Sequence, residues 1–226
     1  MWAEEISDRG FAIAPEAVKE GEIELLIGAL SASTVSRTKA GIRHVLGIEA
    51  ISNLARKPRL IGLARVVLGA DAMPFHATLF DKSLPANWLA VWHQDTALPL
   101  QEKCERAGWG PWSVKQDVIY AHAPAAAREK ILALRVHIDE SASENGPLKV
   151  LAGTHNSGVL SDDSIQELAA RVPATDCVVL KGGILAMRPL VVHSSSKSQD
   201  SAPRRVLYIE YAASATISEG LKLATA

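Results

Sequence analysis

Cysteine is nearly absent: the 226 residues include only Cys104 and Cys177, far apart and with no CxxC pair. That excludes a disulfide framework and a zinc ribbon and leaves two ordinary free thiols. No apolar run is long enough to span a bilayer, and Met1-Trp2-Ala3-Glu4-Glu5-Ile6 lacks the basic region and apolar core of a secretory leader. A cytoplasmic protein without membrane association is expected. Neither sign of charge dominates, with 24 Lys plus Arg against 25 Asp plus Glu, and the basic residues are scattered, so the footprint of a nucleic-acid binder is missing. Such a chain suits a small-molecule partner. Repeats, low-complexity tracts and linker-like stretches are missing too, so residues 1–226 are expected to form one domain.

What is present falls into two styles. Ile23, Leu26, Ile27 and Leu30 recur at helical spacing behind Pro15, with Glu16, Glu20, Glu22 and Glu24 forming a solvated set, which predicts a helix over 15–30 weakened by Gly21 and Gly28. Leu60, Leu63, Ala64 and Val67 predict a second helix from about Pro58 to Leu68, with Gly69 as its C-cap. From Pro74 onward short strands take over: Phe75 to Phe80, Trp88 to His93, Ile131 to Asp139, Leu148 to Leu151, Asp176 to Leu180, Ile184 to Val192 and Arg204 to Ala212. A turn is predicted at Glu144-Asn145-Gly146-Pro147, and Ser161 can cap a short helix running to about Arg171. Helices followed by many strands predict an α+β fold, an antiparallel sandwich or barrel with the helices packed outside the sheet. Thr96 to Arg128 is the least regular stretch and reads as a lid or binding loop; Trp109 and Trp112 can equally be packing that loop onto the body.

The chemistry concentrates at His93, Gln94 and Asp95, at the end of the strand-like run Asn87-Trp88-Leu89-Ala90-Val91-Trp92. Strand alternation turns His93 and Asp95 to one side, with Cα atoms about 6 to 7 Å apart. An imidazole and a carboxylate so placed are two legs of the two-histidine, one-carboxylate facial triad that holds non-haem Fe(II) with positions left open. An HxD triplet by itself arises often by chance, so a third ligand is required. His193 follows the Ile184 to Val192 strand and precedes Ser194, Ser195 and Ser196; a jelly roll would bring it to the mouth that holds His93 as the third ligand, with a turn histidine bonding locally as the alternative. The strand from Ile131 to Asp139 sets Ala133, Arg135, His137 and Asp139 on one face and Leu132, Leu134, Val136 and Ile138 on the other. Its polar face is either solvated or lines the barrel mouth.

Taken together, Trp92-His93-Gln94-Asp95, then Glu144-Asn145-Gly146-Pro147-Leu148-Lys149-Val150-Leu151-Ala152-Gly153-Thr154-His155, then His193 with Arg204 eleven residues later, resemble the phytanoyl-CoA dioxygenase family of Fe(II)- and 2-oxoglutarate-dependent oxygenases. The resemblance spans about Pro74 to Tyr211. The family usually has Pro-Gly-Ser-His where this chain has Ala152-Gly153-Thr154-His155, a departure in a turn and not in a ligand. It implies a double-stranded β-helix, with His93, Asp95 and His193 as metal ligands and catalytic centre. It also implies 2-oxoglutarate as cosubstrate, with its far carboxylate on Arg204 and a hydroxyl from Ser195. Hydroxylation of a small molecule by O2, with release of succinate and CO2, follows from the resemblance. Asp95 speaks against halogenation, because related halogenases place halide where this carboxylate stands.

Alternation sends Arg205 to the face opposite Arg204, toward solvent or an ion pair. His155 is expected to be structural, and His44, His76 and His122 have no motif partner; His76 sits on a strand that can line the pocket, but a surface or core role is the favoured reading. Substrate contacts are expected from Arg135, His137 and Trp112, with an anionic or strongly polar group held near Arg135 and His137 beneath the 96–128 segment. Two other readings stand beside this one. A cupin-like metal enzyme that uses no 2-oxoglutarate is disfavoured by Arg204 and Ser195, and a catalytically silent jelly-roll binding module by the complete set of ligands.

Overall fold

The computed structural model describes residues 2–38, 41–82, 86–199 and 202–225. In chain order the elements are α1 (Trp2–Arg9), β1 (Phe11–Ala14), α2 (Glu20–Ala32), β2 (Arg37–Thr38), β3 (Gly41–Arg43), α3 (Glu49–Ala55), α4 (Pro58–Leu68), β4 (Met73–Lys82), β5 (Ala90–His93), β6 (Ala97–Leu100), β7 (Trp112–Lys115) and β8 (Val118–His122). They continue with α5 (Ala125–Arg128), β9 (Ile131–His137), β10 (Leu148–Leu151), α6 (Asp162–Arg171), β11 (Ala174–Cys177), β12 (Ile184–Met187), β13 (Val192–Ser195), β14 (Arg204–Ala212), β15 (Thr216–Ser218) and β16 (Leu221–Lys222).

Alternation along the strands builds three layers. Leu132, Leu134 and Val136 of β9, with Leu207, Ile209 and Tyr211 of β14, face one way and pack against Ile23 and Leu26 of α2, Ile51 and Leu54 of α3, and Leu60 and Ala64 of α4. The residues between them face the other way, into a second core shared with Leu148, Val150 and Cys177. A seven-stranded antiparallel sheet, ordered β1-β12-β9-β14-β4-β3-β2, thus carries the helices on one face and meets the four-stranded sheet β11-β10-β13-β5 on the other. This is the jelly roll expected from the sequence, with helices outside the larger sheet. No helix of the described residues is long and apolar enough to cross a membrane.

Local chemistry explains several boundaries. Ser161 caps α6 by accepting from the backbone N of Ser164 at 3.2 Å. Gly69, at φ 96°, closes α4 with its N–H on the carbonyl of Arg65. The helix predicted from Pro15 begins only at Glu20: Glu16 adopts a left-handed φ of 51°, and Glu22 accepts from the Lys19 backbone N at 2.9 Å to cap the true start.

Two expectations need correction. The apolar run from Ile184 to Val192 is not one strand: it breaks around Arg188 and Pro189, so β12 stays in the large sheet while β13 crosses to the small one. Nor is Thr96 to Arg128 an irregular loop. It folds as a three-stranded antiparallel sheet, β6-β8-β7, whose Leu98, Leu100 and Ala121 share an apolar core with Trp109, Phe75 and Ile131.

Candidate metal centre and active site

β5 and β13 are antiparallel neighbours, and His93 sits directly opposite His193 in their register. The two imidazole rings lie 4.2 Å apart, centroid to centroid. Asp95 lies two residues beyond the end of β5, so strand geometry alone does not aim it. Its backbone N donates to the Pro189 carbonyl at 2.9 Å, just ahead of β13. Gln94 fixes the intervening bend: its Nε2 donates to the carbonyls of Leu190, at 2.7 Å, and Gly158, at 2.9 Å, while its Oε1 accepts from the Leu160 N.

These constraints bring ligand atoms of His93, Asp95 and His193 within 4.8 Å of one another. The Nε2 atoms of His93 and His193 stand 3.9 and 3.7 Å from the Asp95 carboxylate. Each ring offers its other nitrogen to a backbone carbonyl, His93 Nδ1 to Val91 at 2.7 Å and His193 Nδ1 to Val191 at 2.9 Å. That bond places the proton on Nδ1 and leaves the Nε2 lone pair facing the carboxylate, the arrangement a metal-binding histidine needs. Burial holds the His193 imidazole down to about 4, so it is neutral near pH 7. Burial alone would raise the Asp95 carboxyl, but the nearby His193, His93, Arg128 and Arg135 outweigh it and hold the group below its ordinary value. The Tyr208 hydroxyl donates to Asp95 Oδ2 at 3.0 Å. Two imidazole nitrogens and one carboxylate so placed fit Fe(II) with open coordination positions.

The polar face of β9 points into the sandwich, not into solvent. Arg135 lies with its guanidinium 5.2 Å from the Phe80 ring and 5.3 Å from the Tyr208 ring. Beyond it, Arg204 reaches Ser195 Oγ at 3.3 Å and Ser141 Oγ at 3.5 Å, and its Nε is buried without a partner. Lys82, only 1% exposed, donates to Ser195 Oγ at 2.8 Å and to the Ser196 carbonyl. His137 holds Ser141 Oγ through Nδ1 at 3.0 Å, and its Nε2 is also buried and unpartnered. None of the three cations Arg135, Arg204 and Lys82 has an ion-pair partner among the described residues. Burial and the neighbouring guanidinium charges push Lys82 down to about 7, and burial beside Arg135 brings Arg204 to about 10. Buried cations without counter-ions, one with an orphaned N–H, form a group whose chemistry suits a carboxylate.

Arg205 points outward and forms a two-pronged pair with Asp139, at 2.7 and 2.8 Å. His155 Nε2 bonds the Ser7 carbonyl, away from the triad. Thr154 supplies the hydroxyl of the family's turn: it donates to the Leu151 carbonyl at 2.7 Å and accepts from the Val192 N at 2.9 Å, fixing the residue before His193.

On the other side of the triad a cavity of about 330 Å³ is lined by His93, Asp95, His76, Tyr120, Arg128 and Glu210, among others. Arg135, His137 and Trp112 do not line it; Trp112 packs against the core beneath β6 and β8. Sequence reasoning missed Lys82, Tyr208 and Glu210. Alternation counted forward from Arg204 would have put Tyr208 and Glu210 on the inward face, whereas Lys82 shows no signal until β4 and β14 are paired.

A family model described as phytanoyl-CoA dioxygenase (PhyH) matches residues 9–206. The chain belongs to the phytanoyl-CoA dioxygenase family. L-proline trans-4-hydroxylase of Streptomyces griseoviridis is 26% identical over 189 residues, an alignment covering 72% of this chain and 63% of that protein. The chain therefore spans slightly less than two thirds of that relative's length. Among solved structures, the non-heme monooxygenase ThoJ superposes with a TM-score of 0.73 at 17% identity, over 100% of this chain and 84% of the other. The epimerase SnoN, in complex with Fe3+, alpha ketoglutarate and nogalamycin RO, gives 0.68 at 19% identity over 93% and 82% of the two chains. At these identities the two structures share the fold of this phytanoyl-CoA dioxygenase family member.

Proposed function

We propose that this protein is an Fe(II)- and 2-oxoglutarate-dependent oxygenase that hydroxylates a small molecule. The observation carrying the reading is the adjacency, inside one sandwich, of the His93, Asp95 and His193 donors and a buried group of cations without counter-ions. Bound Fe(II) and 2-oxoglutarate supply the oxidising chemistry, one oxygen atom of O2 entering the substrate and the other entering succinate as CO2 is lost. The chain's own residues do the holding. His93 and His193 present their Nε2 atoms, Tyr208 orients the Asp95 carboxylate, and Arg204, Lys82 and Ser195, already clustered, would grip the far carboxylate of the cosubstrate. Phe80 and Tyr208 flank Arg135 with their ring faces. The proline hydroxylase relative makes free amino acids the first substrates to try. The test is Fe(II) binding under anaerobic conditions together with succinate release from 2-oxoglutarate on admission of air. Iron binding without any 2-oxoglutarate conversion would leave a metal enzyme of another kind, and failure of both would leave a binding module.

A further inference from the structure

The cations facing the interior fall into two groups. Arg135, Arg204 and Lys82 gather at the cosubstrate end, while Arg43, Lys115 and Arg128 line the cavity on the opposite side of the triad. Of this second group only Arg128 has a carboxylate partner, Glu210 at 3.1 Å. Arg43 ends β3, and since Ile42 packs toward the helices, alternation turns Arg43 toward the cavity. Lys115 ends β7 with its ammonium 4.9 Å from the Tyr120 ring. Among the described residues neither Arg43 nor Lys115 has an acidic partner, and apart from Asp95 the only carboxylate on the cavity wall is Glu210. Glu210 is taken by Arg128 and Asp95 belongs to the triad, so Arg43 and Lys115 stand on the wall without a counter-charge of their own.

Part of that wall is bonded to itself. Glu210 bonds His76 Nδ1 at 3.0 Å, His76 Nε2 meets the Tyr120 hydroxyl at 3.1 Å, and that hydroxyl meets His44 Nε2 at 2.8 Å. This chain of bonds shapes the cavity and uses up its own polar atoms, so the attraction left for a ligand comes from Arg43 and Lys115. Two cations converging on one cavity without acidic partners select an anion. At about 330 Å³ the space lies at the small end of ligand pockets.

We propose that the substrate is a small carboxylic acid, of amino-acid or short aliphatic size, whose carboxylate lies between Arg43 and Lys115 while the carbon to be oxidised faces His93 and Asp95. This rests on the oxygenase reading above, and it moves the anionic group expected at Arg135 and His137 to the other side of the metal centre. The test measures succinate release by the iron-loaded protein with 2-oxoglutarate and O2, above the rate without added compound. The probes are the common L-amino acids and short straight-chain carboxylic acids, each beside its own carboxamide. At least one acid is expected to stimulate, with its carboxamide weaker by on the order of tenfold or more. R43M and K115M should each raise the half-saturating concentration of that acid by a similar factor, and K115E should narrow or reverse the preference for acid over carboxamide. Carboxamides that match their acids, variants that leave half-saturation unchanged, or stimulation by no acid while slow 2-oxoglutarate conversion persists would each overturn the proposal. Absence of both Fe(II) binding and any 2-oxoglutarate conversion would instead overturn the oxygenase reading beneath it.

Discussion

Tyr208 on the seven-stranded sheet donates its hydroxyl to Asp95, the one carboxylate of the triad, across the interior of the sandwich. Burial and the nearby Asp95 and Glu210 charges push the phenol well above its ordinary value, so it stays protonated and remains a donor. His93→Ala, Asp95→Ala and His193→Ala should each abolish tight Fe(II) binding. Tyr208→Phe should retain iron but weaken it by roughly 10- to 100-fold, the usual effect of removing a partner that orients a ligand. Titration of Fe(II) under anaerobic conditions measures both, and an unchanged affinity in Tyr208→Phe would remove the residue from the site.

Arg204 and Arg205 are chain neighbours with opposite environments. Arg204→Leu should cost about 2 to 5 kcal/mol of 2-oxoglutarate binding while sparing Fe(II), because a buried carboxylate loses its partner. Arg205→Leu breaks a partly exposed pair with Asp139, on the outer side of the sheet, and should change stability by about 1 kcal/mol, with cosubstrate affinity intact. The half-saturating 2-oxoglutarate concentration of the two variants separates these outcomes.

Lys82 predicts a pH dependence. Its ammonium titrates at about 7 in the fold against an ordinary 10.5. Between those values the unfolded chain binds one more proton than the folded one, so this group makes the ligand-free protein more stable as pH rises from about 7 toward 10.5. Dianion binding has the opposite sign: it favours charged Lys82, so 2-oxoglutarate affinity should fall as pH rises through 7. Lys82→Met should flatten both curves, read by thermal unfolding and by cosubstrate titration across pH.

Thr154 joins the turn after β10 to the start of β13 through two hydrogen bonds. Thr154→Val leaves the Val192 N–H without its acceptor and should cost about 1 to 3 kcal/mol, while Thr154→Ser keeps both bonds and should cost about 1 kcal/mol or less. Chemical denaturation of the two variants checks this. Equal losses would mean that the methyl group matters and the hydroxyl does not.

The sequence was legible where local chemistry and pattern agreed. α4, α6, β10 and β14 fall on the residues where periodicity and caps put them, and the turn at 144–147 holds Gly146 at φ 68°, where an added Cβ would meet the Ser196 carbonyl. The triad was readable because its residue types are scarce and their order is distinctive. The segment from 97 to 122 was not, because its strands are four or five residues long and the β7–β8 turn uses Gln116 and Asp117 at positive φ in place of the usual Asn-Gly. Arg43 was invisible for a related reason: a three-residue strand has no periodicity to report which way its side chains point.

The crossing of the chain at Pro189 has a mechanical consequence. It hands His193 to the smaller sheet, where β5 already carries His93, while Lys82, Arg135 and Arg204 remain on β4, β9 and β14 of the larger one. A dicarboxylate reaching from a metal at the triad to these cations would act as a removable rivet between two sheets that are also tied there by side-chain contacts such as Tyr208 on Asp95. The edge strand β5 should breathe freely in the empty protein and be clamped when both metal and dicarboxylate are present, so that amide exchange along Ala90–His93 reports occupancy of a pocket whose cations all lie on the opposite sheet.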